Sequence, residues 1–288
     1  MAAVGTPRRR RLQAISRIGP VGVVILCGLF FVLPLLAMAR FSFQNVPMIN
    51  LGKSTLFKSW SFEGVTTAFG DQEFQDALRL SAKLALGTVF MTLALLVPTT
   101  LWVHVRIPRA RSFVEFLTVL PYVIPPIALV AGILPLKPHA RWFLNSNYSL
   151  VPFYTVLALP FTFRSLDAGI KALDVKTLVD ASRSLGAGWG TTLRRAIVPN
   201  IRSAIISASF LTAAVVLGEY TMARVLLKRT LPAFMAQYQG REPQGGMALA
   251  LTALVGTTLL FAVLSVLTKP RNARRSRRRN SAPKEDAS

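Results

Sequence analysis

The chain has 288 residues, of which 52% are hydrophobic and only 16% are charged, whereas soluble domains carry about 25% charged residues. Its formal net charge is +22, and it contains a single cysteine, Cys27. This composition argues against a soluble globular protein, and one cysteine excludes an intrachain disulfide and a cysteine-based metal cage. The positive charge suits either a nucleic-acid binder or a membrane protein with basic cytoplasmic loops, and the positions of the charges distinguish the two.

Six apolar segments follow one another along the chain, and each can cross about 30 Å of hydrocarbon at about 1.5 Å per residue. The first segment, residues 20–39, contains no charged residue. The second contains Arg79 and Lys83 near its start, where long side chains reach the membrane interface. The second to sixth segments are, in order, 78–103, 113–134, 149–168, 201–222 and 247–268. The sequence therefore predicts an all-α fold, a bundle of six transmembrane helices.

The first apolar segment has an alternative interpretation as a cleaved signal peptide. A run of four arginines, residues 8–11, lies in front of it, and Ala37-Met38-Ala39 fits a small-residue cleavage site. The apolar region of a signal peptide is about 7–15 residues long, however, and this segment has about 20. The length favours an uncleaved membrane span.

Lysine and arginine are distributed unevenly between the two sets of loops. With a cytoplasmic N-terminus, the inner segments contain 21 of these residues and the outer segments contain 9, over nearly equal lengths. The inner segments are 1–19, 104–112, 171–200 and 269–288, and the outer ones are 40–77, 135–148 and 223–246. The bias predicts that both termini are cytoplasmic, and it explains most of the net charge without nucleic acid.

The two ends of the chain are predicted to lie outside the membrane domain. Residues 1–19 form a basic cytoplasmic arm, and residues 269–288 form a basic, disordered cytoplasmic tail. Because the tail directly follows a membrane span, binding to anionic lipid is favoured over binding to nucleic acid. The membrane domain is then residues 20–268.

The sequence contains no pattern typical of an enzyme, a metal site or a nucleotide site. Under the predicted topology His104 and His139 lie on opposite sides of the membrane, so they cannot share a metal. Gly186, Gly188 and Gly190 precede basic residues, as in a phosphate-binding loop. Both phosphate-loop patterns nevertheless fail, because the glycines that they require are replaced by Thr191 or Leu193. We therefore expect no catalytic residue, metal or bound cofactor in this chain.

The longest inner loop, residues 171–200, has the periodicity of two short helices. Apolar residues are spaced for an amphipathic helix that ends at Leu185, and Gly186 lies where a left-handed C-cap residue is expected. A second helix, at about 189–197, leads to Pro199. The glycine corner between them is either a docking point for a soluble partner or a plain interfacial linker.

This loop resembles the EAA loop of binding-protein-dependent ABC transporter permeases, E-A-A-x3-G-x9-I-x-L-P. Ala196 occupies the isoleucine position and departs from the pattern, whereas the spacing from glycine to proline is kept. The matching positions are Asp180, Ala181, Ser182, Gly186, Val198 and Pro199. Three further segments resemble the polyamine, iron and thiamine branch of these permeases: "LPYVIPPIALVAGI" (120–133), "PFTFRSLDAGIKALD" (160–174) and "LGEYTMA" (217–223).

The resemblance implies a six-span inner-membrane permease of a bacterial ABC importer. Such a subunit pairs with a second permease or a copy of itself. Its EAA loop docks into a cytoplasmic ATPase dimer, which uses the ATP, and an extracytoplasmic solute-binding protein delivers the substrate. Polyamine is the preferred substrate, with ferric iron, thiamine or another small solute as alternatives. A carrier working alone and an integral membrane enzyme are alternatives of a different class.

Individual residues can be assigned expected roles within this framework. Leu185 and Trp189 are candidate apolar anchors in the ATPase cleft, with packing on the membrane surface as the alternative. Glu219, about 27 Å along a straight fifth span, and the adjacent Tyr220 are candidate pathway residues.

The remaining expectations concern the third and fourth spans. Pro121, Pro125 and Pro126 should kink the third span, and Pro125 and Pro126 are candidate pathway residues. Asp167 should pair with Arg164, three residues earlier on the same helix. Glu115 is explained by its favourable position at the start of a helix.

Overall fold

The computed structural model describes residues 7–44, 49 and 60–268. Apart from one isolated bridge between Gln44 and Trp60, β pairing is absent from these residues. The α-helices are α1 (Pro7–Phe43), α2 (Glu63–Gly70), α3 (Gln72–Arg106), α4 (Arg111–Val123), α5 (Pro126–Ile133), α6 (Arg141–Leu144), α7 (Leu150–Lys171), α8 (Val175–Ser184), α9 (Trp189–Thr191), α10 (Val198–Asn200), α11 (Arg202–Gly218), α12 (Thr221–Val225), α13 (Leu231–Arg241) and α14 (Pro243–Thr268).

The described helices contain six segments that match the predicted spans in order. Four are single helices long and apolar enough to cross a membrane: Pro20–Phe43, Gln72–Arg106, Asn147–Lys171 and Pro243–Val263. Two more are bent pairs, Pro108–Val123 with Pro126–Leu136 and Trp189–Asn200 with Arg202–Gly218. The predicted all-α transmembrane bundle is confirmed, with up to six spans if each bent pair counts as one.

The third span is broken where the sequence places three prolines. Helix α4 ends at Val123, Ile124 has extended backbone, and α5 begins at Pro126 at an angle of 82°. Proline removes a helix donor and clashes with the preceding turn, so Pro125 and Pro126 prevent α4 from continuing. The expected kink is confirmed and is sharp enough to separate two helices.

The fifth span ends earlier than predicted. Helix α11 stops at Gly218, and Glu219 follows with φ −81° and ψ 121°, an extended conformation. A short helix, α12, then begins at Thr221. The expectation that Glu219 lies within a straight helix over 201–222 is therefore wrong.

The chain divides into two compact units, the first formed by residues up to Asp71 together with Met235–Val255. Within it, the Phe43 and Phe62 rings pack with centroids 5.4 Å apart, and the Gln244 side chain donates to the Gln44 carbonyl at 3.1 Å. Helix α1 begins at Pro7, so the part of the predicted arm from residue 7 is helical and joins the first span. Residues 1–6 and the predicted tail, 269–288, lie outside the described residues.

Among the described residues, the second unit comprises Gln72–Phe234 with Gly256–Thr268, and α3, α7 and α11 pack together at its centre. Its apolar core has three layers along these helices. The layer nearest loop 171–200 includes Leu101, Ile170, Val179 and Ile197; the middle includes Leu96, Phe163 and Ala208; and the far layer includes Leu84, Leu150, Tyr154, Val216 and Met222. The two ends of the unit are therefore separated by the 22-residue α7, about 33 Å.

Small and hydroxyl residues bring α7 and α11 close together. Gly169 lies so near Ala204 that an added Cβ would overlap the alanine methyl group, and Ser165 donates to the Ala204 carbonyl at 3.2 Å. Thr162 and Thr212 are both fully buried, and their hydroxyls are 2.7 Å apart. Close backbone approach and interhelical hydrogen bonds are the usual means by which membrane helices associate.

Candidate coupling site at loop 171–200

Helix α8 begins at an aspartate cap. Asp174 accepts hydrogen bonds from the Thr177 backbone N–H at 3.2 Å and from the Thr177 hydroxyl at 2.6 Å. These bonds favour the carboxylate and lower the pKa of Asp174 below its usual value. Val175 and Val179 are buried on one face of the helix, in the same core layer as Leu101 and Ile170. The cap and the apolar face together fasten α8 to the end of the bundle.

The corner after α8 is a Schellman motif built on Gly186. The Gly186 N–H donates to the Arg183 carbonyl at 2.9 Å, and the Ala187 N–H donates to the Ser182 carbonyl at 3.1 Å. Gly186 has φ +81°, a left-handed conformation that side-chain-bearing residues rarely adopt. The predicted end of the helix and the predicted left-handed glycine are both confirmed.

The other two glycines have no such requirement. Neither Gly188 nor Gly190 has a positive φ, and an added Cβ would meet no heavy atom within 4 Å at either position. Gly188 has φ −71° and ψ 166°, which any residue can adopt. Only Gly186 is required by the backbone of this corner.

The second arm of the loop is helical from Trp189 to Asn200, somewhat longer than predicted. Residues Thr192–Ile197 form a turn of π-helix between α9 and α10. Thr192 and Ile197 are buried, whereas Pro199 is exposed and precedes the 76° bend into α11. The wider turn inserts about one extra residue into the helix, so it sets which side chains face the bundle.

Leu185 and Trp189, the two predicted anchors, have different environments. Leu185 is 88% exposed at the tip of the corner. The Trp189 ring instead packs against Trp102 with centroids 6.3 Å apart, and the Arg106 and Arg183 guanidinium groups lie 5.7 and 5.5 Å from its centre. Trp189 therefore fastens the corner to the end of α3 while remaining 36% exposed, and Leu185 is the more exposed of the two.

The other EAA-loop positions flank this tip. Asp180 and Ala181 are exposed on α8, and Ser182 is half-buried and supplies the carbonyl that closes the corner. Val198 is half-buried beside the exposed Pro199. The fold brings the residues before Gly186 and those near Pro199 together, since α8 packs against the π-helical segment.

An ion-pair network lies near this loop, where α3 and α7 end and α4 begins. Arg111 donates to both carboxylate oxygens of Asp167, from Nε at 2.6 Å and from Nη2 at 2.9 Å. Lys171 Nζ is 3.0 Å from the same carboxylate, and Arg164 lies 3.6 Å from Glu115. The predicted pair between Asp167 and Arg164 is therefore wrong, because Asp167 pairs with Arg111 and Arg164 pairs with Glu115, both on α4.

His104 completes the network at the end of α3. Its Nδ1 lies 2.8 Å from the Thr100 carbonyl, and its Nε2 lies 3.2 Å from Oδ1 of Asp167. The second approach is within ion-pair distance but does not have hydrogen-bond geometry. His104 thus joins a third helix to Asp167. In the described part of the chain, no three His, Cys, Asp or Glu residues lie close enough to hold a metal ion.

Glu219 and Tyr220 lie at the opposite end of the second unit, where α12 packs against α5, whereas Pro125 and Pro126 follow Tyr122, whose ring packs on Phe161 in the middle of α7. Pro125 and Pro126 form the break before α5. The Glu219 side chain is 9% exposed, and its two oxygens accept the Met222 N–H at 2.8 Å and the Ala223 N–H at 3.4 Å. Glu219 therefore caps α12, and Tyr220 beside it is exposed. The sequence alone does not predict this cap, because the motif at residues 217–223 gives no sign that the helix is interrupted there.

The chain matches a family of transporter components. The family model described as binding-protein-dependent transport system inner membrane component matches residues 97–274. The sulfate transport system permease protein CysW of Synechocystis sp. is 28% identical over 228 residues, which are 70% of this chain and 76% of that protein. The molybdenum transport system permease protein ModB of Mycobacterium tuberculosis is 29% identical over 205 residues, which are 65% of this chain and 76% of that protein.

A solved structure has the same fold. A chain from a bacterial ABC transporter involved in the import of the acidic polysaccharide alginate superposes with a TM-score of 0.66. The match covers 91% of this chain and 99% of that chain, at 16% identity. Since the family model spans more than half of the chain, this protein belongs to the binding-protein-dependent transport system inner membrane components, the permease subunits of ABC importers.

Proposed function

We propose that loop 171–200 is the surface on which a cytoplasmic ATPase drives this permease. The observation that carries the proposal is that Leu185 is exposed next to Gly186, which has a left-handed backbone and occupies the glycine position of the EAA pattern. A protruding apolar side chain on a hydrogen-bonded corner fits a cleft in a partner better than it fits water.

The attachments of the loop to the bundle support a role in transmitting force. Val175 and Val179 on one arm and Ile197 on the other share a core layer with Leu101 and Ile170 of the bundle. The stack of Trp189 on Trp102 adds a second attachment. A push on Leu185 would therefore move α3, α7 and α11 together, as a rigid-body switch between two access states requires.

Membership of the family supports a proposal for the remaining parts of the importer. We infer a second permease subunit or a second copy of this chain, an ATPase dimer that hydrolyses the ATP, and an extracytoplasmic solute-binding protein. The excess of lysine and arginine in the inner loops supports a location in the bacterial inner membrane with both termini cytoplasmic.

For the substrate, we propose a tetrahedral oxyanion rather than a polyamine. Support comes from the two relatives, which are named for sulfate and molybdenum transport. Glu219, the acid favoured for a polyamine path, is buried and accepts two backbone N–H groups, so its role as the cap of α12 accounts for it without a substrate contact. Polyamine, ferric iron and thiamine are retained as competing substrates in the test.

The test is uptake by the assembled transporter. This chain is expressed together with its partner subunits, and ATP-dependent accumulation of labelled sulfate, molybdate, spermidine, ferric iron and thiamine is measured in vesicles. We expect an ATPase to co-purify with this chain and at least one oxyanion to accumulate. A chain that purifies alone and transports without ATP would be a stand-alone carrier, which contradicts the proposal.

A further inference from the structure

Three basic residues cluster at the end of the bundle opposite loop 171–200. Lys137 and Arg141 line a cavity of about 460 Å³, and Lys137 and Lys228 line a cavity of about 230 Å³. Leu134, Lys137 and Asn145 belong to the walls of both cavities, so the two are adjacent. We call Lys137, Arg141 and Lys228 the far-end basic cluster.

The backbone after α12 places Lys228 inside this cluster. The Leu227 N–H donates to the Arg224 carbonyl and the Lys228 N–H donates to the Ala223 carbonyl, a second Schellman motif. Leu227 has φ +55°, the left-handed conformation that glycine usually adopts at this position of the motif. Leu227 is also 83% exposed. A leucine there costs about 1 kcal/mol of conformational strain, and strain of this kind is concentrated at functional sites.

Lys228 is buried without a carboxylate. It is 8% exposed, and its Nζ donates to the Asn145 carbonyl at 2.7 Å. Burial, and then the positive charge of Lys137, lower the pKa of Lys228 below its usual value. Its neighbour Arg229 instead has Glu73 at 2.8 Å. In the described ranges, no carboxylate lies within ion-pair distance of any member of the far-end basic cluster.

The buried positive charge of Lys228 is costly, and the exposed Lys137 and Arg141 add positive charge at the adjacent openings, so a bound anion would compensate it. The ammonium of Lys228 has two N–H groups beyond its bond to Asn145, and Arg141 carries a planar fork of donors suited to oxyanions. A small, doubly charged ligand would satisfy more of these donors than a carboxylate or chloride. We propose that Lys137, Arg141 and Lys228 bind a tetrahedral divalent oxyanion in these adjacent cavities. That this anion is transported rests on the proposed function, whereas its binding does not.

The test measures binding directly on the complete permease–ATPase complex. Lysines are trace-labelled with acetic anhydride in detergent over a sulfate titration, with sodium chloride holding the ionic strength constant, and each site is quantified by mass spectrometry. We expect sulfate to reduce labelling of Lys137 and Lys228 several-fold, while labelling of Lys176, which lies outside the far-end basic cluster, does not change with sulfate. Equal protection by chloride, or none by sulfate, overturns the proposal.

Matched variants assign the effect to the cluster. Arg141→Gln should raise the sulfate concentration needed for half-protection about tenfold, as loss of a charge-assisted hydrogen-bond donor predicts. Arg229→Gln removes a cation that already has a carboxylate partner and should leave protection unchanged. Identical curves for wild type and Arg141→Gln would contradict the assignment.

A phospholipid headgroup presents similar phosphate oxygens, so a second arm separates the two sources. The labelling is repeated in nanodiscs of phosphatidylcholine and of phosphatidylglycerol. Protection by phosphatidylglycerol without any response to sulfate would identify a lipid site and reject a free oxyanion. If sulfate protects these lysines but the complex accumulates only spermidine, the binding site stands and the proposed substrate class fails.

Discussion

Arg111 holds Asp167 through a two-point ion pair, with N–O distances of 2.6 and 2.9 Å between residues 56 positions apart in the chain. The pair joins α4 to α7, and His104 and Lys171 approach the same carboxylate. It lies beside the loop that we propose to receive force from the ATPase, so it ties the helices that have to move together.

Replacing Asp167 with asparagine should destabilise this end of the bundle. Loss of a fully buried partner costs about 3–5 kcal/mol, and because the Arg111 side chain is 31% exposed we expect about 1–3 kcal/mol. Thermal unfolding in detergent measures the effect. Arg164→Gln is the control, since this side chain is 70% exposed and its contact with Glu115 is 3.6 Å. Equal losses in both variants would argue against a special role for Asp167.

Gly186→Asp should abolish ATP-coupled uptake while the chain still inserts into the membrane. The left-handed φ of +81° adds about 1 kcal/mol of strain for an L side chain, and the new charge lies next to Leu185. Gly188→Asp is the matched control, because its backbone is ordinary and the space around it is open. Uptake and membrane content are measured together. Uptake at the wild-type rate in Gly186→Asp would refute the coupling role of the corner.

Leu185→Glu should weaken attachment of the ATPase at least tenfold, because a central apolar anchor contributes more than 1 kcal/mol to binding. Co-elution of the ATPase at decreasing protein concentration measures the loss. Since Leu185 is exposed, the permease itself should unfold at the wild-type temperature. Trp189→Ala should behave differently and lower the unfolding temperature, because its ring packs on Trp102. Full retention of the ATPase by Leu185→Glu would exclude this residue as an anchor.

Gly169→Ala should destabilise the contact between α7 and α11 by about 1–3 kcal/mol, the usual cost of overpacking. An added Cβ at this position overlaps the Ala204 side chain. The reciprocal change Ala204→Gly removes that methyl group, so the double variant should recover much of the loss. Thermal unfolding of the two single variants and the double variant forms a complete cycle. A double variant that shows the summed losses would mean that the two positions do not touch.

Several features were predictable because they depend on local chain chemistry. The spans follow from the length of the apolar segments, and the break in the third span follows from prolines that cannot continue a helix. The Gly186 corner follows from an amphipathic helix that ends at the residue best able to adopt a left-handed backbone. In each case, the residues that determine the structure are neighbours in the sequence.

Tertiary packing decided the features that the sequence left open or misassigned. Asp167 pairs with Arg111 and not with the nearby Arg164, because α4 packs against α7 and brings Arg111 next to Asp167. Trp189 packs against Trp102, whereas Leu185 is 88% exposed. Lys228 is one of many basic residues in the sequence, and only the fold buries it beside Lys137 without a carboxylate. Helix periodicity shows which face of a helix is apolar, but the partner across that face is set by how distant helices cross, and that information is not local.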